Sequence, residues 1–102
     1  MSMTGKDRAA LRGEAHHLVA AVHVGHQGLT ESVIGTIEDA LRTRELVKVQ
    51  LAKTTDETPK VAAAQLAEAT RSEVVQVIGR TVSLYRWNPE LQRKSGVPPW
   101  RS

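Results

Sequence analysis

The sequence predicts an α/β fold with the element order α-β-α-β-α-β-β, in which helices pack on a four-stranded mixed sheet. Short Val-rich runs alternate with segments of helical periodicity. Strand–helix–strand connections favour parallel strands with right-handed crossovers. The last two apolar runs are separated only by Gly79 and Arg80, which predicts an antiparallel hairpin with a type II′ turn.

The first helix is predicted to begin after Thr4. Asp7 stands three residues later, so that the two residues can form a capping box. We expect this helix to extend to about His16 and to bury Leu11. Its basic residues are expected on the exposed side: Lys6, Arg8 and Arg12.

The next two elements meet at a glycine-containing junction. The apolar run LVAAVHVG, residues 18–25, predicts a buried strand. The second helix is predicted to start after Thr30, a good N-cap, because Glu31 then lies at the positive end of the helix dipole. Apolar residues with helical spacing predict one buried face: Val33, Ile34, Ile37, Ala40 and Leu41.

The second half of the chain continues the alternation. The run ELVKVQLA, residues 45–52, alternates apolar and polar residues and predicts a half-exposed strand. Thr58 can cap a third, Ala-rich helix that runs through Thr70, with Pro59 at its first position. The two hairpin strands, EVVQVIG and TVSLYRW, follow.

Composition and charge limit the possible classes of protein. The 102 residues suffice for one compact domain, predicted at residues 4–87, followed by a proline-containing, flexible basic tail at 88–102. The absence of Cys excludes disulfides and thiolate zinc sites. Without a signal-like or membrane-spanning stretch, we expect a cytoplasmic protein with no membrane partner. The net charge of +3 is small, so a nucleic-acid face would require segregated charges.

Gly25 and Gly28 lie where the first strand is predicted to end and the second helix to begin. Glycine allows positive φ and close approach of another backbone, and N–H groups before a helix bind anions. A Walker A loop would need a Lys after the second glycine, and a dinucleotide fingerprint would need three glycines. The spacing matches the G-x-x-G loop with which KH domains clamp a nucleic-acid backbone. A simple tight turn is the alternative.

Four sequence blocks, in this order and spacing, resemble the CRM domain, named for chloroplast RNA splicing and ribosome maturation: LRGEAHHL, VHVGHQGLTESV, IEDALRTRELVKV and VVQVIGRTVSLYR. In bacteria this domain occurs as short YhbY-like proteins. The resemblance, over about residues 4–87, implies an RNA-binding fold similar to the C-terminal domain of bacterial translation initiation factor three. It also implies association with precursors of the large ribosomal subunit. Arg44 and Gln50 depart from the His and the basic residue usual in the family.

The resemblance assigns Gly25, His26, Gln27 and Gly28 to the family's G-x-x-G loop, with Thr30 in its extension. We expect this loop to approach RNA phosphates with its backbone. Further phosphate contacts are predicted for Lys6, Arg8 and Arg12, as a basic strip beside the loop, and for Lys48, Arg80 and Arg86 on the strands. Because aromatic residues are few, we expect structured RNA to be recognised through its backbone and shape, with strong salt dependence.

Two other functions compete with RNA binding. A protein–protein adaptor on ribosomal or other assemblies would keep the fold and use its helices and the tail around Trp100. A small hydrolase is least favoured, because no set of nucleophile, base and orienting group can be assembled. The four His residues do not form a pattern of metal ligands. We therefore expect no enzyme activity, metal, cofactor or small-molecule substrate.

Overall fold

The computed structural model describes residues 4–25, 27–53, 58–91 and 98–101. In these residues the elements are α1 (Gly5–Ala15), β1 (Val22–Val24), α2 (Glu31–Arg44), β2 (Leu46–Leu51), α3 (Pro59–Thr70), β3 (Glu73–Ile78) and β4 (Thr81–Tyr85), followed by a 3₁₀ turn (Pro99–Arg101). The predicted α/β class, the order of elements and the mixed four-stranded sheet are confirmed.

Local sequence signals determine where the helices begin. Thr4 and Asp7 form the predicted capping box, in which the Asp7 N–H donates to the Thr4 hydroxyl at 3.1 Å. The hydroxyl of Thr30 accepts from the Val33 N–H at 3.2 Å, and Thr58 caps α3 in the same way. Each cap satisfies an N–H that the helix itself leaves free, which contributes about 1 kcal/mol to stability.

The strands lie in the order β1-β2-β4-β3. β1 is parallel to β2, whereas β4 is antiparallel to both of its neighbours. β1, β2 and β3 therefore finish at the same end of the sheet. We call this the loop end, because it carries residues 25–28 after β1, Lys53 after β2 and the hairpin at Gly79 and Arg80. Gly79 has a φ of 55°, as the first position of the predicted turn requires.

Helices cover both faces of the sheet. α2 and α3 pack on one face, where the predicted α2 residues Ile37 and Leu41 are fully buried. The core on this side consists of Val22, Val24, Ile37, Leu41, Val47, Val49, Leu51, Ala62, Ala63, Leu66, Val82 and Leu84. α1 packs on the other face, where Leu11 joins Leu46 and Val75. Because these contacts lie near the starts of β2 and β3, α1 leaves the half of this face nearest the loop end open.

The first strand is shorter than predicted. Only Val22–Val24 within residues 18–25 form a strand. Leu18 packs against the cluster under α1, and Val19 is 87% exposed. β1 pairs only with β2, at Val49 to Leu51. Residues 16–21 connect α1 to this outer strand. Their apolar character is therefore not a sign of strand structure.

The described residues after β4, 86–91 and 98–101, include several that contact the body of the domain. The buried Glu45, which alone connects α2 to β2, accepts the Asn88 N–H on its carboxylate at 2.6 Å. Trp100 lies edge-on to Tyr85, with ring centroids 6.2 Å apart, and its indole N–H donates to Glu14 at 3.3 Å. Seven of the fifteen residues of the predicted flexible tail, 92–97 and 102, lie outside the described residues. The domain boundary and the flexibility of the tail stay predictions.

Candidate nucleic-acid interface

The connection between β1 and α2 is a tight turn. The Gly28 N–H donates to the Gly25 carbonyl at 3.0 Å, and Gly28 has a φ of 78°. A residue with a side chain would be strained at this φ, so the turn itself explains Gly28. The Thr30 N–H then donates to the Gly28 carbonyl at 3.0 Å, which leads the chain directly into the cap of α2.

Gly25 is not explained by the turn. Its φ lies outside the left-handed region, and a Cβ built on it would meet no heavy atom within 4 Å. Gly25 and Gln27 are exposed, whereas His26 lies outside the described residues. The domain would therefore accept a side chain at residue 25. The glycine instead leaves bare backbone facing solvent beside the start of α2.

The first turn of α2 presents free backbone donors next to this loop. Thr30 caps only the N–H of Val33. The N–H groups of Glu31 and Ser32 have no acceptor among the described residues. Together with the helix dipole, such N–H groups favour an anion at this position, with a contribution of about 0.3–1 kcal/mol.

Basic residues lie at the same end of the sheet as the loop. The Ala52 N–H donates to the Val24 carbonyl at 2.9 Å, and Arg80 Nη1 donates to the Ala52 carbonyl at 3.1 Å. Arg80 is thereby held one strand away from the loop. Lys53 is exposed immediately after Ala52, and Lys60 is exposed in the first turn of α3, which starts from the same end of the sheet.

The described ion pairs and the basic residues of the loop end lie in different parts of the domain. Their ion pairs lie away from the loop end: Arg8 with Glu73 at 3.7 Å, Arg42 with Asp39 at 2.8 Å, and Arg86 with Glu38 at 2.9 Å. No described carboxylate pairs with Lys53, Lys60 or Arg80. The charges of these three residues are therefore available to an anion, whereas the exposed carboxylate of Glu31, at the start of α2, opposes the attraction.

Comparison with known proteins shows the family of the chain. Residues 3–86 match the model of the CRS1/YhbY (CRM) domain. The chain belongs to the CRM domain family. This result confirms the resemblance seen in the sequence.

Individual relatives of this CRM domain cover almost its whole length. It is 39% identical to "Probable RNA-binding protein YqeI" of Bacillus subtilis, over 86% of this chain and 92% of that protein. It is 38% identical to an "RNA-binding protein" of Haemophilus influenzae, over 95% of this chain and 96% of that protein. The solution structure of SAV1595 from Staphylococcus aureus superposes with a TM-score of 0.77 at 40% identity, and covers 89% of this chain and 95% of that one.

The basic strip predicted on α1 does not lie beside the loop of this CRM domain. Arg8 donates to the Val74 carbonyl at 2.5 Å and pairs with Glu73. Both partners open β3, the strand farthest from β1, at the end of the sheet opposite the loop. The exposed Lys6 and Arg12 share α1 with Arg8, so the strip lies elsewhere on the domain because α1 crosses the other half of the sheet.

Arg86 connects three elements of the CRM domain by hydrogen bonds. Its Nη1 donates to the Glu38 carboxylate at 2.9 Å and to the Thr70 carbonyl at 2.7 Å, and its Nη2 reaches the Glu38 carbonyl at 3.4 Å. It therefore joins the end of β4 to α2 and to the last turn of α3. With its guanidinium committed to these partners, we assign Arg86 to the fold and not to the interface.

Lys48 lies on the sheet face that α1 only partly covers, because it is paired with Ser83 and alternates with the core residues Val47 and Val49. It is half-buried and lies in the middle of β2, level with Ala21 at the start of β1, whose N–H donates to the Lys48 carbonyl at 2.9 Å. Of the basic residues predicted for the site on the strands, Arg80 is therefore the one that lies at the loop end.

Sequence reasoning missed Lys53 and Lys60. A signal for Lys53 was available, because the carboxyl ends of parallel strands meet at one end of a sheet. Residues after β2 therefore lie beside residues after β1. The same argument brings the first turn of α3, and with it Lys60, to this end.

Two further observations concern other classes of function. Within the described ranges, no helix has the length and apolar character needed to cross a bilayer. In the same residues, no three His, Asp or Glu side chains converge as a group able to bind a metal ion.

Proposed function

We propose that this protein binds RNA and contacts the phosphate backbone at the loop end. The observation that carries the proposal is Gly25, an exposed glycine that the fold does not require and that lies beside the free N–H groups of α2. Bare backbone lets a phosphate approach closely, and the helix start favours its charge. Relatives that are named RNA-binding proteins support the same function.

The proposed mechanism combines two kinds of contact. Backbone donors at Gly25 and at the start of α2 hold one phosphate. Lys53, Lys60 and Arg80 attract neighbouring phosphates along the same end of the sheet. Each neutralised phosphate releases counterions, so the binding constant should fall steeply with salt.

The proposed target is structured ribosomal RNA in precursors of the large subunit, in the cytoplasm. The support for this target is the family resemblance in the sequence blocks, and the paucity of aromatic residues favours recognition of backbone and shape over base stacking. A protein–protein adaptor on ribosomal or other assemblies is the competing hypothesis.

Matched substitutions test the proposal. Gln27 in the loop and Gln65 on α3 are both exposed, and Asp at either position lowers the net charge equally. We expect Gln27→Asp to weaken binding of a structured large-subunit RNA fragment by about tenfold, because the carboxylate repels a phosphate at the loop. Gln65→Asp should change it less than about twofold. Fluorescence anisotropy over a range of salt concentrations measures both.

The outcomes separate the hypotheses. If the two variants weaken binding equally, only net charge matters and the loop is not the contact. If the wild-type protein does not bind the RNA at low salt, the adaptor hypothesis is favoured.

A further inference from the structure

The half of the second sheet face that α1 leaves open is polar. Two rows of side chains cross it, as defined by the strand register. The row nearest the loop end is His23, Gln50, Thr81 and Ile78, and the next row is Lys48, Ser83 and Gln76. We call these seven residues the open sheet face. With neighbouring strands about 4.8 Å apart, the first row extends about 14 Å across the sheet.

The open sheet face offers hydrogen-bonding groups without protein partners. Gln50 accepts the Thr81 hydroxyl on its Oε1 at 2.9 Å, which leaves its amide N–H₂ free to donate to a ligand. The side chains of His23, Lys48 and Gln76 have no partner among the described residues. Ser83 is 3% exposed and cannot contribute.

The open sheet face carries no negative charge that would repel RNA. Its charged residue is Lys48, and none of the seven residues is a carboxylate. The face is also continuous with the proposed phosphate site, since His23 lies two residues before Gly25 on β1. A strand of RNA held by its phosphates at the loop end would therefore reach the open sheet face next.

From these observations we infer that the open sheet face binds unpaired bases of the RNA held at the loop end. Amide, imidazole and hydroxyl groups match the donors and acceptors on base edges, whereas phosphate binding would call for several cations. A protein partner would be favoured by an apolar centre, yet Ile78 is the one large apolar residue of the seven. The inference rests on the proposed function and adds the unpaired base as the ligand.

Two hairpin RNAs isolate the base contribution. One has a loop of unpaired bases, and the other has the same stem and phosphates but an abasic loop. We expect the wild-type protein to bind the first about tenfold more tightly, the value of one good base contact. The variant His23→Thr/Gln50→Thr keeps residues that favour strands but shortens both polar side chains.

This variant should bind both hairpins with the affinity of wild type for the abasic one, and its salt dependence should be unchanged. Gln65→Thr on α3 is the control and should keep the preference. The midpoint of urea unfolding checks the fold, and His23→Thr alone, at an exposed residue, replaces the double variant if the latter unfolds. Gln27→Asp should weaken binding of both hairpins equally.

Two outcomes overturn the inference and leave RNA binding at the loop in place. The wild-type protein could bind both hairpins equally, or the double variant could retain the preference, which would leave the open sheet face to a protein partner. If the wild-type protein binds neither hairpin, the proposed function fails and this inference fails with it.

Discussion

The two glycines of the loop should respond in opposite ways to the same substitution. Gly28 adopts a φ of 78°, whereas Gly25 does not lie in the left-handed region. Neither would place a new Cβ within 4 Å of a heavy atom, so crowding does not distinguish them. Gly28→Ala should therefore lower the stability of the domain by straining the backbone. Gly25→Ala should instead affect the binding of a ligand that approaches the loop.

The sizes of both effects can be worked out. An Ala with left-handed φ costs about 1–2 kcal/mol. The reduced freedom of the unfolded chain returns about 0.4–1 kcal/mol. Gly28→Ala should thus lower the free energy of unfolding by about 1 kcal/mol, or the melting temperature by about 4 °C. Gly25→Ala should keep or slightly raise stability, yet weaken RNA binding by about tenfold, because its methyl group holds a phosphate away from the backbone.

Urea unfolding followed by circular dichroism measures the stability of both variants, and fluorescence anisotropy measures their RNA binding. The reasoning is refuted if Gly25→Ala is destabilised as much as Gly28→Ala, because the fold would then need that glycine. It is equally refuted if Gly25→Ala binds RNA like the wild-type protein, because close approach to the backbone would then play no part.

Other substitutions test the remaining contacts. Lys53→Gln/Lys60→Gln should reduce the slope of log K against log salt by about 1.5, as expected for two lost phosphate contacts, while Lys6→Gln on α1 leaves it unchanged. Arg86→Met should lower the free energy of unfolding by about 2 kcal/mol in urea titrations, because it removes charged hydrogen bonds, but should leave RNA affinity intact. Trp100→Ala should cost about 1–2 kcal/mol by the same assay; an unchanged midpoint would show that its packing is not stabilising.

The elements that could be predicted are those with local signals. The caps at Thr4, Thr30 and Thr58 depend on residues three apart, and the hairpin depends on Gly79 and its neighbour. Each of these signals depends only on residues that are close in sequence. The observed helix starts and hairpin turn therefore match the predicted ones. The length of β1 could not be predicted from a local signal. It depends on the position of β2, with which β1 pairs, and on the path of the chain from α1.

In the candidate site, too, features with local sequence signals could be predicted and features that depend on distant residues could not. The spacing of Gly25 and Gly28 left a tight turn and a G-x-x-G loop as alternatives, and the family resemblance assigned the loop. The structure shows that Gly28 is required by the turn. The positions of Arg8 and Arg86 depend on Glu73 and Glu38, which are distant in sequence, so their ion pairs could not be foreseen from composition or periodicity. Lys53 was overlooked although the parallel arrangement of β1 and β2 implied its place.

The position of β4 has a consequence for synthesis of the chain. This last strand in sequence lies between β2 and β3, so the sheet has no continuous hydrogen-bonded centre until residue 85 is available. A nascent chain that ends before β4 would leave β3 without a partner strand and one edge of β2 unpaired, and each could associate with another molecule. The domain therefore becomes cooperative only when nearly all of it has left the ribosome, and pulse-labelled hydrogen exchange on stalled chains would show protection appearing in one step.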